Sequence, residues 1–108
     1  MSEVWLAEDE ELERKVALKL VAPDADRARF EREARAAASL AHENVMQLYD
    51  FGEADGRPFM VLEYLPGGSL DDRLHAGRPL ADDEAARIAS EIAAGLAHAH
   101  ARGLVHRD

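Results

Sequence analysis

Few side chains in this sequence could do chemistry, and their types decide which chemistry is open. There is no cysteine, which removes thiolate nucleophiles, disulfides and cysteine-ligated metals and suits a reducing compartment. His98, His100 and His106 carry imidazole donors, but two residues apart on a helix is the wrong spacing for one face, so His98 and His100 do not converge on an ion. Gly67–Gly68 offers backbone that a phosphate could approach, but such a pair alone is more often a plain loop. The positive charges say more. Lys15 and Lys19 are the only lysines, and Lys19 lies inside the apolar run "VALKLV" (16–21). A compact ammonium does a different job from the planar guanidinium this chain otherwise prefers. At the other end, "GLVHRD" (103–108) leads through an apolar pair into His106, Arg107 and Asp108, whose carboxylate could accept a proton.

These residues need elements to position them. "EVWLAED" (3–9) and "KVALKLVA" (15–22) have strand composition, with the acidic "EDEELE" (8–13) as a solvated turn between them. In the second strand Val16, Leu18 and Leu20 share one face, so Lys19 leaves the sheet on the side of Ala17. A helix capped by Asp24 or Asp26 is predicted through "RARFEREARAAASLAH" (27–42), with Phe30, Ala34, Ala37 and Ala41 as its apolar stripe. Glu33 falls within that stripe, where a buried carboxylate would need a partner; on the helix pattern alone, a glutamate at the stripe's edge reaching water is the simpler reading. "NVMQLYDFGE" (44–53) and "RPFMVLEYL" (57–65) are two further strands joined by an Asp55–Gly56 hairpin signal. After Pro66-Gly67-Gly68 comes a short helix that Ser69 can cap. The longest helix spans 81–103, with Ile88, Ile92, Leu96 and Ala99 on one face and Gly103 at its end. Sheet first and helices after gives an α+β fold.

Bulk properties narrow the partners. At 108 residues there is room for one domain with a modest core. A net charge of −9 opposes a nucleic-acid surface, which needs clustered cations in excess. No apolar run approaches the roughly 20 residues that span a bilayer, and the N-terminus lacks a basic-then-apolar signal pattern. A cytoplasmic location is the expectation.

The combination of motifs is more specific than any one of them. "VALK" (16–19), "RFEREA" (29–34), "MVLEYLPGGSL" (60–70) and "HRD" (106–108) occur in the order and approximate spacing of the protein-kinase signature. The whole chain resembles a eukaryotic-like serine/threonine protein kinase of the bacterial type. The resemblance implies transfer of the γ-phosphoryl group of ATP, with Mg2+, to a serine or threonine hydroxyl of a protein substrate. It implies that Lys19 binds the α- and β-phosphates and is held by Glu33, which would give that glutamate its partner. Val4 and Ala17 would sandwich the adenine ring, Leu62 would be the gatekeeper, and the backbone of Glu63 and Leu65 would bond the adenine edge. Ser69 would touch the ribose, although a helix cap explains it as well. Asp108 would orient the substrate hydroxyl and take its proton, Arg107 would pair with a phosphorylated activation loop, and His106 would pack beside them.

By the same resemblance, residues 1–64 are the strands and αC-like helix of the N-lobe, and 65–108 the hinge exit, first C-lobe helices and start of the catalytic loop. The family's glycine-rich loop would precede Val4, with Ser2 at its third glycine, and the magnesium-binding aspartate would follow Asp108. The chain is therefore expected to be a kinase fragment truncated at both ends and inactive alone, with an exposed sheet edge open to self-association. Two alternatives remain: a non-catalytic kinase-like interaction module or pseudokinase, and a small-molecule phosphotransferase of similar fold, against which Arg107 counts.

Overall fold

The computed structural model describes residues 3–104. In chain order these form β1 (Glu3–Asp9), β2 (Arg14–Leu20), α1 (Arg27–Ala38), β3 (Leu48–Ala54), β4 (Arg57–Glu63), α2 (Leu70–His75) and α3 (Asp82–Ala101). The four strands make one antiparallel sheet in the order β1-β2-β4-β3.

Each hairpin is set by local chemistry. Between β1 and β2 the Asp9 carboxylate accepts the N–H groups of Glu11 and Leu12, and Glu13 completes the reversal at φ 50°. Between β3 and β4, Asp55 and Gly56 take φ of 51° and 76°. Positive φ at both central residues is the turn whose twist matches paired strands, which is why Asp-Gly occurs there.

Register decides what faces what. Val4, Lys19 and Met60 are cross-strand partners, and so are Leu6, Ala17 and Leu62. Because side chains alternate along a strand, these six residues share one face of the sheet. Phe51, paired with Met60, belongs to that face too, and α1 packs there with Phe30 edge-on to Phe51 at 6.2 Å. Val16, Ala34, Leu40 and Leu48 are buried, and Pro58 is the largest fully buried side chain.

Two predicted boundaries move. The Asp26 side chain caps α1 by accepting the N–H of Arg29, as the sequence suggests, but the helix stops at Ala38 instead of running to His42. The Ser39 hydroxyl donates to the Ala36 carbonyl at 2.6 Å, and the N–H of Leu40 bonds Ala37 in a tighter turn that sends Leu40 inward. The strand predicted from Asn44 begins at Leu48. Residues 42–45 form a turn closed by the Val45 N–H on the His42 carbonyl, and a register shift between Leu48 and Asp50 marks a bulge. The first end of α1 is tied to the β3–β4 hairpin: Arg27 donates to the Gly56 carbonyl and pairs with Glu53.

Beyond β4, Ser69 and Asp72 form a reciprocal cap at the start of α2. The Arg73 guanidinium then grips Glu84 of α3 through two bonds of 2.7 and 3.0 Å. Each group reinforces the other's charge: the bond holds the Glu84 carboxyl below its ordinary range and raises the Arg73 pKa.

Candidate functional site

A cavity of about 810 Å3 opens between the Lys19 face of the sheet, α1 and α3. Its walls follow from the sequence pattern. β2 and β4 contribute Lys19 and Met60, α1 contributes Phe30, Glu33, Ala34 and Ala37, and α3 contributes Ile92, Gly95, Leu96 and Ala99. Apart from Ile88, the whole stripe expected on α3 lies here, and so does the part of the α1 stripe that remains helical. Lys19 and Glu33 are the charged residues among an otherwise largely apolar lining. The Glu33 side chain is about half exposed, and its Oε1 accepts the Arg29 Nε–H at 3.0 Å one turn earlier on the helix.

The remaining candidates lie around this cavity. Val4, Ala17 and Leu62 share the Lys19 face of the sheet, with Val4 largely exposed. Glu63 ends β4, and its N–H donates to the Gln47 carbonyl at 2.9 Å. Any adenine contact from Glu63 must therefore use its carbonyl. Its carboxylate is also engaged, accepting the Gln47 N–H. Leu65 follows β4 and is about half exposed. Ser69 lines a separate, shallower depression with Gly67, Gly68, Arg73 and Arg78. Its Oγ accepts the Asp72 N–H at 3.0 Å while the Asp72 carboxylate accepts the Ser69 N–H at 3.1 Å; that backbone bond first, and the Ser69 hydroxyl second, lower the Asp72 pKa. The cap is thus formed in the structure. Asp108, Arg107, His106 and Ser2 lie outside the described residues.

Two residues that the sequence reading did not single out are central here. Met60 is Lys19's direct neighbour across the β2–β4 seam; two positions before Leu62 in the same strand, it could have been found by alternation. Gly95 lets α3 approach so closely that a Cβ there would lie 2.7 Å from the Asn44 carbonyl oxygen. No local signal marks that contact, since a glycine inside a helical pattern reads only as a weak point.

The protein kinase domain family profile matches residues 1–108 in full. The chain belongs to the protein kinase domain family. It is 42% identical over 113 residues to serine/threonine-protein kinase PrkC of Bacillus subtilis, covering all of this chain and 17% of that protein. It is 39% identical over 117 residues to serine/threonine-protein kinase PknB of Mycolicibacterium smegmatis, again over all of this chain and 19% of the relative. The kinase chain thus spans under a fifth of the length of these curated relatives. Its fold superposes on the crystal structure of the M. tuberculosis PknI kinase domain with a TM-score of 0.88 at 35% identity, covering 100% of this chain and 46% of that one. Rad53 1–466 in complex with AMP-PNP matches with a TM-score of 0.90 at 25% identity, over 99% of this chain and 29% of that one. The kinase fold expected from the motif order, an antiparallel sheet with one helix against it and helices after, is the fold observed.

Proposed function

We propose that this chain is the nucleotide-binding part of a protein serine/threonine kinase, with residues 1–64 as its N-lobe portion and 65–108 as the start of its C-lobe. The observation that supports the reading is that Lys19 and Glu33 both line one cavity in a chain of the kinase family. ATP is the nucleotide; the Rad53 relative is in complex with AMP-PNP. Val4, Ala17 and Leu62 enclose the adenine, and the Glu63 carbonyl and Leu65 N–H hold its edge. The Lys19 ammonium bonds the α- and β-phosphates, with Glu33 orienting it, so that negative charge is offset before transfer begins.

Asp108 then accepts the proton of a substrate serine or threonine hydroxyl. The new O–P bond forms as the bond between the γ-phosphorus and the β–γ bridging oxygen breaks, leaving ADP. Magnesium would offset charge on the phosphates in this reaction. Among the described residues no group of three or more His, Asp or Glu side chains is placed to hold a metal, so these residues do not fit the ion and no step is assigned to it.

On this reading the 108 residues alone do not transfer phosphate, because the positions matching the family's glycine-rich loop and magnesium ligands are not among them. We assign the reaction to the cytoplasm because ATP is available there. The outer edge of β1, with Val4, Trp5 and Leu6 all more than half exposed, would pair with a further strand or a second copy.

The test is a phosphotransfer assay on the full-length protein with ATP, Mg2+ and a serine-containing protein substrate, comparing the natural sequence with Lys19→Met and Asp108→Asn. Transfer lost in both, with nucleotide binding kept in Asp108→Asn, supports the roles assigned. Nucleotide binding without transfer in the natural protein would instead favour the non-catalytic interaction module.

A further inference from the structure

The loop between α1 and β3 rests on α3 through contacts that the proposed reaction does not use. The first is the close approach of Asn44 to Gly95. Nearly one turn further along α3, the imidazole of His98 stacks on that of His42, with centroids 4.9 Å apart and planes tilted by 40°. Hydrogen bonds fix the proton on each ring. The Asn44 backbone N–H donates to His42 Nδ1 at 3.0 Å, and the Arg102 guanidinium donates to His98 Nδ1 at 3.2 Å. A nitrogen that accepts carries no proton, so each neutral ring keeps its hydrogen on Nε2. His98 Nε2 is buried with no hydrogen-bond partner. Around His98 the charged and titratable groups are Arg102 on α3 and His42 on the loop. Among the described residues no carboxylate pairs with either ring; Glu43, next to His42 in the chain, bonds neither.

We propose that the His42–His98 stack is an acid-sensitive joint that holds the α1–β3 loop on α3 while the His98 ring is neutral and releases it when that ring takes a proton. Protonation occurs at Nδ1, the acceptor in both rings. At His98 it would set a donor against the Arg102 guanidinium and a second positive charge beside it. Burial first, then Arg102 and His42, lowers the His98 pKa, in keeping with a ring held neutral. The sign follows. An unfolded histidine binds its proton from about pH 6.5 downward, while folded His98 resists, so stability is lost as pH falls below that value. The joint also ties the loop that follows α1 to α3. That it would thereby tune the Lys19–Glu33 arrangement rests on the kinase reading above; the joint itself does not.

The test is a histidine-ring NMR titration of the full-length protein from about pH 8 to about pH 5, with thermal unfolding followed over the same range. The His98 midpoint is expected below the ordinary histidine value of about 6.5, with the His42–His98 ring cross-peaks lost at the same midpoint. His98→Phe, which keeps a ring but no charge, should flatten the acid-side fall in Tm. Should His98→Phe fail to fold, His42→Phe removes a neighbouring ring that opposes protonation of His98 and should raise the His98 midpoint. A His98 midpoint at or above the ordinary value of about 6.5, or an acid-side fall in Tm unchanged in the phenylalanine variant that folds, overturns the proposal. Absence of phosphotransfer by the full-length protein with the ring titration as expected would overturn the kinase reading alone.

Discussion

Replacing Gly95 by alanine should invert the usual outcome of that substitution. In the interior of a helix the change ordinarily stabilises by about 1 kcal/mol, because alanine loses less backbone entropy. Here the new methyl would sit 2.7 Å from the Asn44 carbonyl oxygen and 3.3 Å from its carbon. Neither atom is the end of a flexible side chain, and the turn that carries them is closed by the Val45–His42 and Asn44–His42 bonds. Forcing such an approach apart costs about 1–3 kcal/mol. The expected net is a loss of about 1 kcal/mol, which for a chain of this size lowers Tm by about 4–8 °C. Thermal unfolding followed by far-UV circular dichroism measures it, with Ala97→Gly, at an exposed position of α3, calibrating helix propensity alone. A rise in Tm of similar size to the fall seen in Ala97→Gly would refute the reasoning, because it would mean that α3 does not lie against Asn44.

Other perturbations address the remaining contacts. In the full-length protein Lys19→Met should lower phosphotransfer by about 10²–10³-fold, the scale on which one preorganised electrostatic contact acts, without moving Tm; transfer at the natural rate would remove Lys19 from the site. Ser69→Ala takes away the acceptor of the Asp72 N–H and should weaken the start of α2 by about 1 kcal/mol. Amide exchange over 70–75 should then quicken about fivefold, and unchanged exchange would show that the cap carries no weight. Because Arg73 holds the Glu84 pKa below the ordinary glutamate range, the α2–α3 tie should persist through that range and fail only as pH falls through the lowered value. Glu84→Gln should abolish that late acid step in an α2-specific NMR titration; a step that survives would belong to another group.

Much of the sheet was legible because its signals are local. Alternation in "VALKL" placed Lys19 beside Ala17, and Asp55–Gly56 announced its turn. The order of motifs carried the family. What was not legible depends on contacts between residues far apart in the chain. Helix propensity favoured continuing α1 past Ala38, yet the Ser39 hydroxyl and the burial of Leu40 stopped it. The residues before Leu48 have strand composition, but they are spent on the turn that meets α3. The His42–His98 stack joins two residues that each look unremarkable in their own segment.

The strand order also has a consequence in time. β1 and β2 meet through a four-residue turn and β3 and β4 through a two-residue one, contacts of the kind that close in microseconds. The seam between β2 and β4 instead joins residues about forty positions apart, with α1 in between, and closing so long a loop is slower. Ala17 and Lys19 lie on one side of that seam, and Met60 and Leu62 on the other. The two hairpins can therefore form early while the face that joins Lys19 to Met60 does not yet exist, and anything that binds that face can capture the chain only at that final step.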